Sequence, residues 1–239
     1  MAVRADLCRG NLSWEEPSNR TLENYNGDSI DLLAVVPSQM LYIIENLDRM
    51  PIIRNIIIGG AKIDSSLRSR IAETGLNAWE TYGMTETASH IALRKVAEIE
   101  TNFMPLPGIE IDVDEQGKLI IDMKDWKRIV TNDIVELKTD GSFKILGRSD
   151  NVINSGGKKI HPEAVEEVLE NIFGCEILIT SKPDIKWGEQ VVMIIDDGLS
   201  GDSDNQILET CRNHLTKECV PKSIIHSKIE HTPNGKKQR

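Results

Sequence analysis

Three patterns of hydrophobic and polar positions follow one another along the chain. From Asp31 onward, short apolar runs alternate with stretches in which apolar residues recur at helical spacing. A helix is predicted after Pro37, because Met40, Ile44 and Leu47 fall at that spacing. This alternation of strand and helix predicts a parallel sheet that is buried on both faces.

A short strand and a capped helix are predicted next. The run Ile56–Ile58 ends in two glycines, which is typical of a buried strand that leads into a loop. Asp64 is a candidate N-cap for a helix over residues 65–73, which Gly75 would end.

After Pro105 the apolar residues recur with a period of two. Residues 109–122 predict a hairpin that turns at residues 114–117. Residues 134–147 predict a second hairpin, with Asp140–Gly141 as its turn. A small antiparallel β module therefore follows the α/β part.

The last pattern begins near Asp150 and predicts a separate α+β region. A polar loop with two glycines precedes a helix that Pro162 opens. Glu166 and Glu167 are expected on the solvent-facing side of this helix. Its apolar face is predicted to hold Val165, Val168, Leu169 and Ile172.

Two strands, at residues 175–181 and 190–196, and a second amphipathic helix complete this region, before a last strand at Ile224–Ile225. The second helix is predicted to bury Leu208, Cys211, Leu215 and Cys219 on one face. With the boundary at residues 147–150, the sequence predicts one domain over residues 1–147 and a small domain over residues 148–239.

Charge and composition limit the possible partners. The chain has 239 residues and a formal net charge of −10, from 28 basic and 38 acidic side chains, so nucleic acid is not expected as its main partner. No apolar run approaches the roughly 18 residues of a membrane span, and no signal peptide is recognised at the start. The four cysteines form no Cys-x-x-Cys pair, which argues against structural zinc and favours a reducing, cytoplasmic compartment.

Two short motifs carry the chemistry of a nucleotide site. Tyr82–Glu86 offers a ring for a base, a glycine for close backbone approach, a hydroxyl for a phosphate and a carboxylate for Mg²⁺. Taken alone, the motif is more typical of a strand-end turn with a half-buried tyrosine and a solvated glutamate. In Thr131–Asp133 a strand-end aspartate could accept hydrogen bonds from ribose hydroxyls, although Asn-Asp pairs are also common turn formers.

Two further motifs lie nearer the C-terminus. Gly147–Asp150 runs into a segment with paired glycines and lysines, residues 154–160, and its arginine could bind a ribose or a phosphate. The alternative is a flexible polar linker. In Pro233–Lys236 an Asn-Gly turn precedes a lysine that could face developing negative charge, or could simply be solvated.

Taken in order, the four motifs resemble those of the adenylate-forming superfamily of acyl-CoA synthetases, adenylation domains and luciferases. Residues 156–170 are also similar to the Gly-x-x-Ile-x-Pro-x-Glu-Ile-Glu segment of that family. Residues 79–96 resemble, more narrowly, the o-succinylbenzoate–CoA ligases of menaquinone biosynthesis. The resemblance implies the C-terminal part of the large α/β adenylation domain, with its antiparallel β module, followed by a small mobile α+β domain.

The resemblance implies a two-step reaction with ATP, Mg²⁺, CoA and a carboxylic acid. The acid attacks the α-phosphate of ATP to give an acyl-adenylate, and CoA then displaces AMP. Nucleotide contacts would come from Gly59, Gly60, Ala61, Tyr82, Gly83, Asp133 and Arg148. Catalytic groups would be Thr85, Lys236 and Glu86, the last of which would also hold the metal.

The remaining roles concern the acid, CoA and domain rotation. Asp150 matches the hinge of the family, and Gly157 and Lys159 belong to the segment that borders CoA. Ser89 and His90 could face the acyl group, because a substrate with two carboxylates suits polar neighbours. Lys62, Arg94 and Lys95 are expected to be solvated.

Some features depart from the family. The Ser/Thr/Gly-rich phosphate loop is not recognised in residues 1–81, so the chain is expected to lack the N-terminal part and to adenylate poorly alone. Asn132 stands where glycine is usual, and Asn154 replaces a common lysine. Another aryl or fatty acid, an adenylation domain, and a non-catalytic nucleotide-binding fragment remain alternatives. The oligomeric state is left open, with a homodimer as one option.

Overall fold

A computed structural model describes residues 25, 27–98, 102–124, 128–196, 203–232 and 237–239. The chain divides into two compact units, which are here called unit 1 (Met1–Pro107) and unit 2 (Gly108–Arg239). The predicted domain boundary at residues 147–150 lies inside unit 2. No helix in the described part of the chain combines the length and the apolar composition needed to cross a membrane.

Unit 1 is built on a five-stranded sheet in the order β2-β4-β5-β6-β7, with a separate parallel pair β1-β3. Strands β2, β4 and β5 are parallel, whereas β6 and β7 are antiparallel to their neighbours. The strands are β1 Ser29–Ile30, β2 Leu33–Val35, β3 Ile52–Ile53, β4 Ile56–Ile58, β5 Ala78–Gly83, β6 His90–Lys95 and β7 Met104–Pro105. The helices are α1 Pro37–Glu45 and α2 Ser65–Thr74.

The core of unit 1 lies between the sheet and these helices. Alternate residues of β4, Ile56 and Ile58, join the buried side chains of α1 and α2 there, while Ile57 belongs to the other face of the strand. The predicted caps of α2 are confirmed: Asp64 Oδ1 accepts a hydrogen bond from the Leu67 amide (2.8 Å). Gly75 ends the helix with φ of 69°, a conformation that glycine adopts without steric cost.

Unit 2 begins with a four-stranded antiparallel sheet in the order β8-β9-β10-β11. Both predicted hairpins are confirmed. The strands are β8 Ile109–Val113, β9 Lys118–Met123, β10 Ile129–Leu137 and β11 Phe143–Arg148. The pairing of β10 with β9 is interrupted between Val130 and Ile134, so this strand carries a bulge across Thr131–Asp133.

A second sheet and two helices form the rest of unit 2. The sheet has the order β13-β12-β15-β14, and β16 pairs in parallel with β15. Its strands are β12 Ile153–Ser155, β13 Lys158–Ile160, β14 Ile177–Asp184, β15 Gly188–Ile195 and β16 Ser223–His226. The helices are α3 Pro162–Phe173 and α4 Asp204–His214, and their buried residues pack with those of β14 and β15.

Helix α3 buries a different face from the one predicted. Val165 and Leu169 are buried as expected, but Val168 and Ile172 are 39% and 37% exposed. The expectation that Glu166 faces solvent is wrong, because its residue is only 3% exposed. Cationic side chains from the C-terminal end of the chain compensate this buried carboxylate, and helical spacing gives no information about them.

Two other local expectations need correction. Helix α4 ends at His214, so Leu215 and Cys219 lie beyond it, although both still pack against the core that holds Cys211. The predicted glycine loop is the two-residue turn Gly156–Gly157 of the hairpin β12–β13. Both glycines have positive φ, as a tight hairpin turn requires.

Candidate functional site

Loop Gly59–Ala61 follows the carboxyl end of β4. A β-carbon on Gly59 would lie 2.5 Å from Oγ1 of Thr81 in the adjacent strand β5, so a larger residue does not fit here. Gly60 has φ of +89°, which side chains rarely tolerate. The local structure therefore requires glycine at both positions. As a result, the backbone at this end of the sheet carries no side chains at residues 59 and 60.

Tyr82 and Gly83 end β5, where its pairing with β6 shifts register. A β-carbon on Gly83 would collide with the Ser89 carbonyl and the His90 backbone. Glycine at position 83 thus allows the backbone at the start of β6 to pack closely against β5. The consequence is that Tyr82, Ser89 and His90 are held together at one edge.

Thr87 organises the turn that carries Thr85 and Glu86. Its hydroxyl oxygen accepts from the Met84 amide (3.0 Å) and lies within hydrogen-bonding distance of the Ser89 and Met84 carbonyl oxygens (2.7 and 2.9 Å), to one of which it donates its proton. Thr87 is buried, while Thr85 and Glu86 are exposed. Thr87 was missed in the sequence, although a threonine three residues after the start of the turn is a usual capping arrangement.

Two concave sites adjoin at the carboxyl ends of β2, β4 and β5, where sheets of this kind bind ligands. Thr81 and His90 border both. The first has a volume of about 260 Å³ and is lined by Gly60, Thr81, Gly83, Met84, Ser89 and His90. The second has about 320 Å³ and is lined by Ala34, Val35, Val36, Gln39, Ile57, Gly59, Thr81 and His90. Polar groups dominate the first site, and aliphatic side chains dominate the second.

Ser89 and His90, which the sequence suggests for contacts with an acyl group, lie next to each other at these concave sites. Ser89 Oγ and His90 Nδ1 are 3.2 Å apart, within hydrogen-bonding distance. His90 borders both concave sites, and Ser89 borders the first. The pair can therefore offer a hydroxyl and a ring nitrogen to a polar group on a bound molecule.

A buried ionic and aromatic network supports Tyr82 from behind. Glu80 accepts from Arg68 Nη2 (2.5 Å) and from Arg94 Nε (2.7 Å). The Arg94 guanidinium lies 4.6 Å from the ring centre of Phe103, and that ring lies 5.8 Å from the ring of Tyr82. Arg94 is not solvated as expected, since its side chain is 15% exposed.

In unit 2, Asp133 lies in the bulge of β10 and is paired across the strands with Arg148. Arg148 Nη1 is 3.4 Å from Asp133 Oδ1, and Nη2 is 2.9 Å from Asp150 Oδ2. Hydrogen bonding to Asp150, assisted by the charge of Asp133, raises the pKa of Arg148. Asn132, which stands where the family usually has glycine, also donates to Asp150 (3.4 Å). Asp133, Arg148, Asp150 and Asn132 therefore form one cluster.

The paired glycines lie at an exposed hairpin tip in unit 2. A β-carbon on Gly156 would lie 2.6 Å from the Trp187 ring, whereas one on Gly157 would meet no atom within 4 Å. Lys159 is exposed on β13. Lys236, the predicted catalytic lysine, lies outside the described residues.

Comparison with known proteins gives the family of this chain. The profile of the AMP-binding enzyme family matches residues 11–124. An acyl-CoA synthetase (AMP-forming)/AMP-acid ligase II-like protein from Dyadobacter fermentans, of known structure, is 30% identical, with a TM-score of 0.55. The match covers 94% of this chain and 68% of that one. The chain belongs to the family of AMP-binding enzymes.

Other members of the AMP-binding family give the fold and a narrower likeness. A 2-succinylbenzoate–CoA ligase of Lactococcus lactis is 28% identical over 86% of this chain. The fold matches that of the o-succinylbenzoate–CoA synthetase of Bacillus subtilis, solved in complex with its acyl-adenylate intermediate, with a TM-score of 0.74. The sequence identity is 22%, and the match covers 87% of this chain and 50% of that one. This chain spans about half the length of such relatives, with 49% of the Lactococcus protein covered.

The turn that carries Glu86 has a carboxylate that could hold a magnesium ion. The same Bacillus synthetase has also been solved with ATP and a magnesium ion. Mg²⁺ in nucleotide sites is commonly held by one or two carboxylates together with substrate phosphates and water. Glu86 fits that role, because its carboxylate is exposed and makes no ion pair within the described residues.

Proposed function

We propose that this chain contributes the residues described above to an acid–CoA ligase, in which ATP and a carboxylic acid form an acyl-adenylate and CoA then forms a thioester. The acid that we favour is o-succinylbenzoate. The observation that carries the proposal is the pair of concave sites at the carboxyl ends of β2, β4 and β5, whose linings include Gly59, Gly60, Gly83, Met84, Ser89 and His90.

The two sites suit two parts of an acyl-adenylate. Val35, Val36 and Ile57 give the second site an aliphatic lining that fits a benzoyl ring. His90 and Ser89 would meet a further carboxylate or carbonyl on that ring. Tyr82 would stack against adenine, with Gly83 and the Gly59–Ala61 loop beside it.

In the first step, a carboxylate oxygen of the acid attacks the α-phosphorus of ATP, and the bond from that phosphorus to the pyrophosphate oxygen breaks. The crowded phosphate gains negative charge, so fixed donors and cations are what the protein must supply. Thr85 would donate its hydroxyl, and Lys236 would place its ammonium group against that charge. A magnesium ion on Glu86 would neutralise phosphate charge when bound.

Ribose recognition is assigned to the cluster on β10 and β11. Asp133 would accept hydrogen bonds from the sugar hydroxyls, and Arg148 would donate to the same sugar. The bulge in β10 supports this role, because bulges redirect a side chain from the regular strand direction.

In the second step, the sulfur of CoA attacks the acyl carbon, the bond to the AMP oxygen breaks, and the thiol proton passes to solvent. Gly157 and Lys159 would border CoA at the hairpin tip, where a β-carbon at Gly157 meets only open space. We propose that residues 148–239 rotate as a lid between the steps, with Asp150 as the hinge. Rotation would break the contact of Asp150 with Asn132, which lies outside the rotating residues.

Calorimetry with non-hydrolysable acyl-adenylate analogues tests both the chemistry and the acid. We expect the o-succinylbenzoyl analogue to bind at least about tenfold more tightly than the octanoyl analogue, since its second carboxylate gains polar contacts. His90→Leu should remove most of that preference and leave the affinity for AMP unchanged. Failure of every adenylate analogue to bind would overturn the proposed function.

A feruloyl analogue belongs in the same series. A feruloyl-CoA synthase of Amycolatopsis is 28% identical over 77% of this chain, so a hydroxycinnamic acid is the second candidate substrate. Tighter binding of the feruloyl than of the o-succinylbenzoyl analogue would replace the favoured acid and keep the reaction class.

Lys236→Ala separates the two half-reactions. In the complete enzyme, we expect acyl-adenylate formation to fall by at least about a hundredfold, because a cation is lost from the transition state, while thioester formation from supplied adenylate persists. Lys228→Ala, at an exposed lysine of the same region, is the matched control. Equal losses in both half-reactions would contradict the assigned role of Lys236.

A further inference from the structure

Three carboxylates line one side of α3. Glu163, Glu166 and Glu170 are three and four residues apart, a spacing that places them on the same helix face. Three negative charges so close together repel one another, and Glu166 is almost fully buried. The cluster therefore requires cations that α3 itself does not supply.

Those cations come from the last residues of the chain. Arg239 Nη2 donates to Glu166 Oε1 (2.7 Å) and lies 3.5 Å from Glu163 Oε1. Lys237 Nζ donates to Glu170 and lies 3.6 Å from Glu166 Oε2. Glu166 is the carboxylate that contacts both cations.

The same contacts tie the terminal residues to β14. Lys237 Nζ donates to the Ile177 carbonyl (2.5 Å), and Glu166 Oε1 accepts the Ile179 amide (2.8 Å). The Gln238 amide donates to the Glu230 carbonyl (2.8 Å). Residues 237–239 are thus fixed at both side chains and backbone.

Stability alone does not explain the buried carboxylate. Burial raises the pKa of Glu166 in spite of the two cations, so its charged form is costly in the folded chain. Buried ion pairs often contribute little net stability, and some instead select one conformation among several. A group of this kind is expected where a segment must be held in one place.

We propose that Glu166 is a positioning residue that fixes the C-terminal segment 237–239 on α3, and thereby the lysine at position 236. Lys236 directly precedes Lys237 in the sequence, so the anchored segment begins one residue after the proposed catalytic lysine. The inference rests on the proposed function only for the role of Lys236 in acyl-adenylate formation. The anchoring itself stands on the contacts of Lys237 and Arg239.

Hydrogen–deuterium exchange of the full chain tests the anchoring. In Glu166→Gln, amides of a peptide over residues 230–239 should exchange at least about tenfold faster, while peptides from β15 keep their protection. Glu167→Gln is the matched control on the next residue of α3, and it should exchange like the wild type. An unchanged terminal peptide, or equal loosening of β15, would overturn the proposal.

A second variant, at the cationic partners of Glu166, tests the anchoring even if Glu166→Gln does not fold. Lys237→Gln combined with Arg239→Gln removes the cations and leaves α3 unaltered, and it should loosen the same peptide. If this double variant keeps wild-type protection there, the anchoring is overturned.

The catalytic consequence is read separately. Glu166→Gln should lower kcat for acyl-adenylate formation by about tenfold with little change in KM for ATP, because Lys236 acts in the transition state. Unchanged kcat in a variant whose terminal peptide is loosened would overturn the positioning role. This activity is measured in the complete enzyme. If that enzyme forms no acyl-adenylate, the proposed function fails, while the exchange experiment still decides the anchoring.

Discussion

Each unit buries one carboxylate between two cations, but the cations come from different distances along the chain. Glu80 in β5 pairs with Arg68, from α2, and with Arg94, from the adjacent strand β6. Glu166 in α3 pairs with residues at the C-terminal end, and its contact with Arg239 joins positions 73 residues apart. Both carboxylates are at most 5% exposed.

The difference lies in what each carboxylate holds. The partners of Glu80 belong to elements that already pack in the core of unit 1, and Arg94 continues through Phe103 to Tyr82. The partners of Glu166 belong to a short terminal segment. We therefore expect Glu80 to contribute mainly to the stability of unit 1, and Glu166 mainly to local order.

The largest expected effect is that of Glu80→Gln. Removal of the charge leaves two guanidinium groups without their buried partner, and such changes cost about 3 kcal/mol of unfolding free energy. Urea titration with exchange read at peptides from β4 and β5 measures the change in unit 1. Glu73→Gln, at an exposed carboxylate of α2, is the control. A loss below about 1 kcal/mol would remove the contrast between the two carboxylates.

The next effect concerns the path from Arg94 to Tyr82. Phe103→Leu removes ring contacts from a side chain that is 4% exposed, and about 1.5 kcal/mol of stability should be lost. Because Tyr82 loses its aromatic neighbour, we also expect AMP to bind several-fold more weakly by calorimetry. Unaltered AMP affinity in a folded variant would show that the network does not position Tyr82.

A pH series tests the effect of burial on Glu166. Burial raises the pKa of Glu166 above its ordinary value of 4.5, with Lys237 and Arg239 opposing the shift and Glu163 adding to it. Between about pH 4.5 and the raised pKa, the folded state keeps a proton that the unfolded chain has lost, so stability falls as pH rises. Urea midpoints of unit 2 should show this fall in the wild type and not in Glu166→Gln. Parallel pH profiles would contradict it.

Features set by neighbouring residues could be predicted from the sequence. The caps Asp64 and Gly75 and the turn Asp140–Gly141 depend on local backbone conformation, which residue type controls directly. The motif Tyr82–Glu86 could be located for the same reason, since its order of residue types is contiguous. The structure places this motif at the carboxyl end of β5.

Features set by distant partners could not be predicted. Helical spacing assigned Glu166 to solvent because the cation that compensates it is far away in the sequence. Arg94 was assigned to solvent for a similar reason, since its partner Glu80 lies on the neighbouring strand. Gly83 is required by the backbone of β6, which a motif does not reveal.

The smallest expected effect is at an exposed carboxylate. Asp150 and Arg148 are 56% and 50% exposed, so solvent screens their ion pair. Asp150→Asn should change the unfolding free energy of unit 2 by less than about 0.5 kcal/mol. Urea unfolding measured beside Glu80→Gln and Glu166→Gln would then order the three carboxylates by burial. A loss comparable to that of Glu80→Gln would mean that burial does not decide how much a carboxylate contributes to stability in this protein.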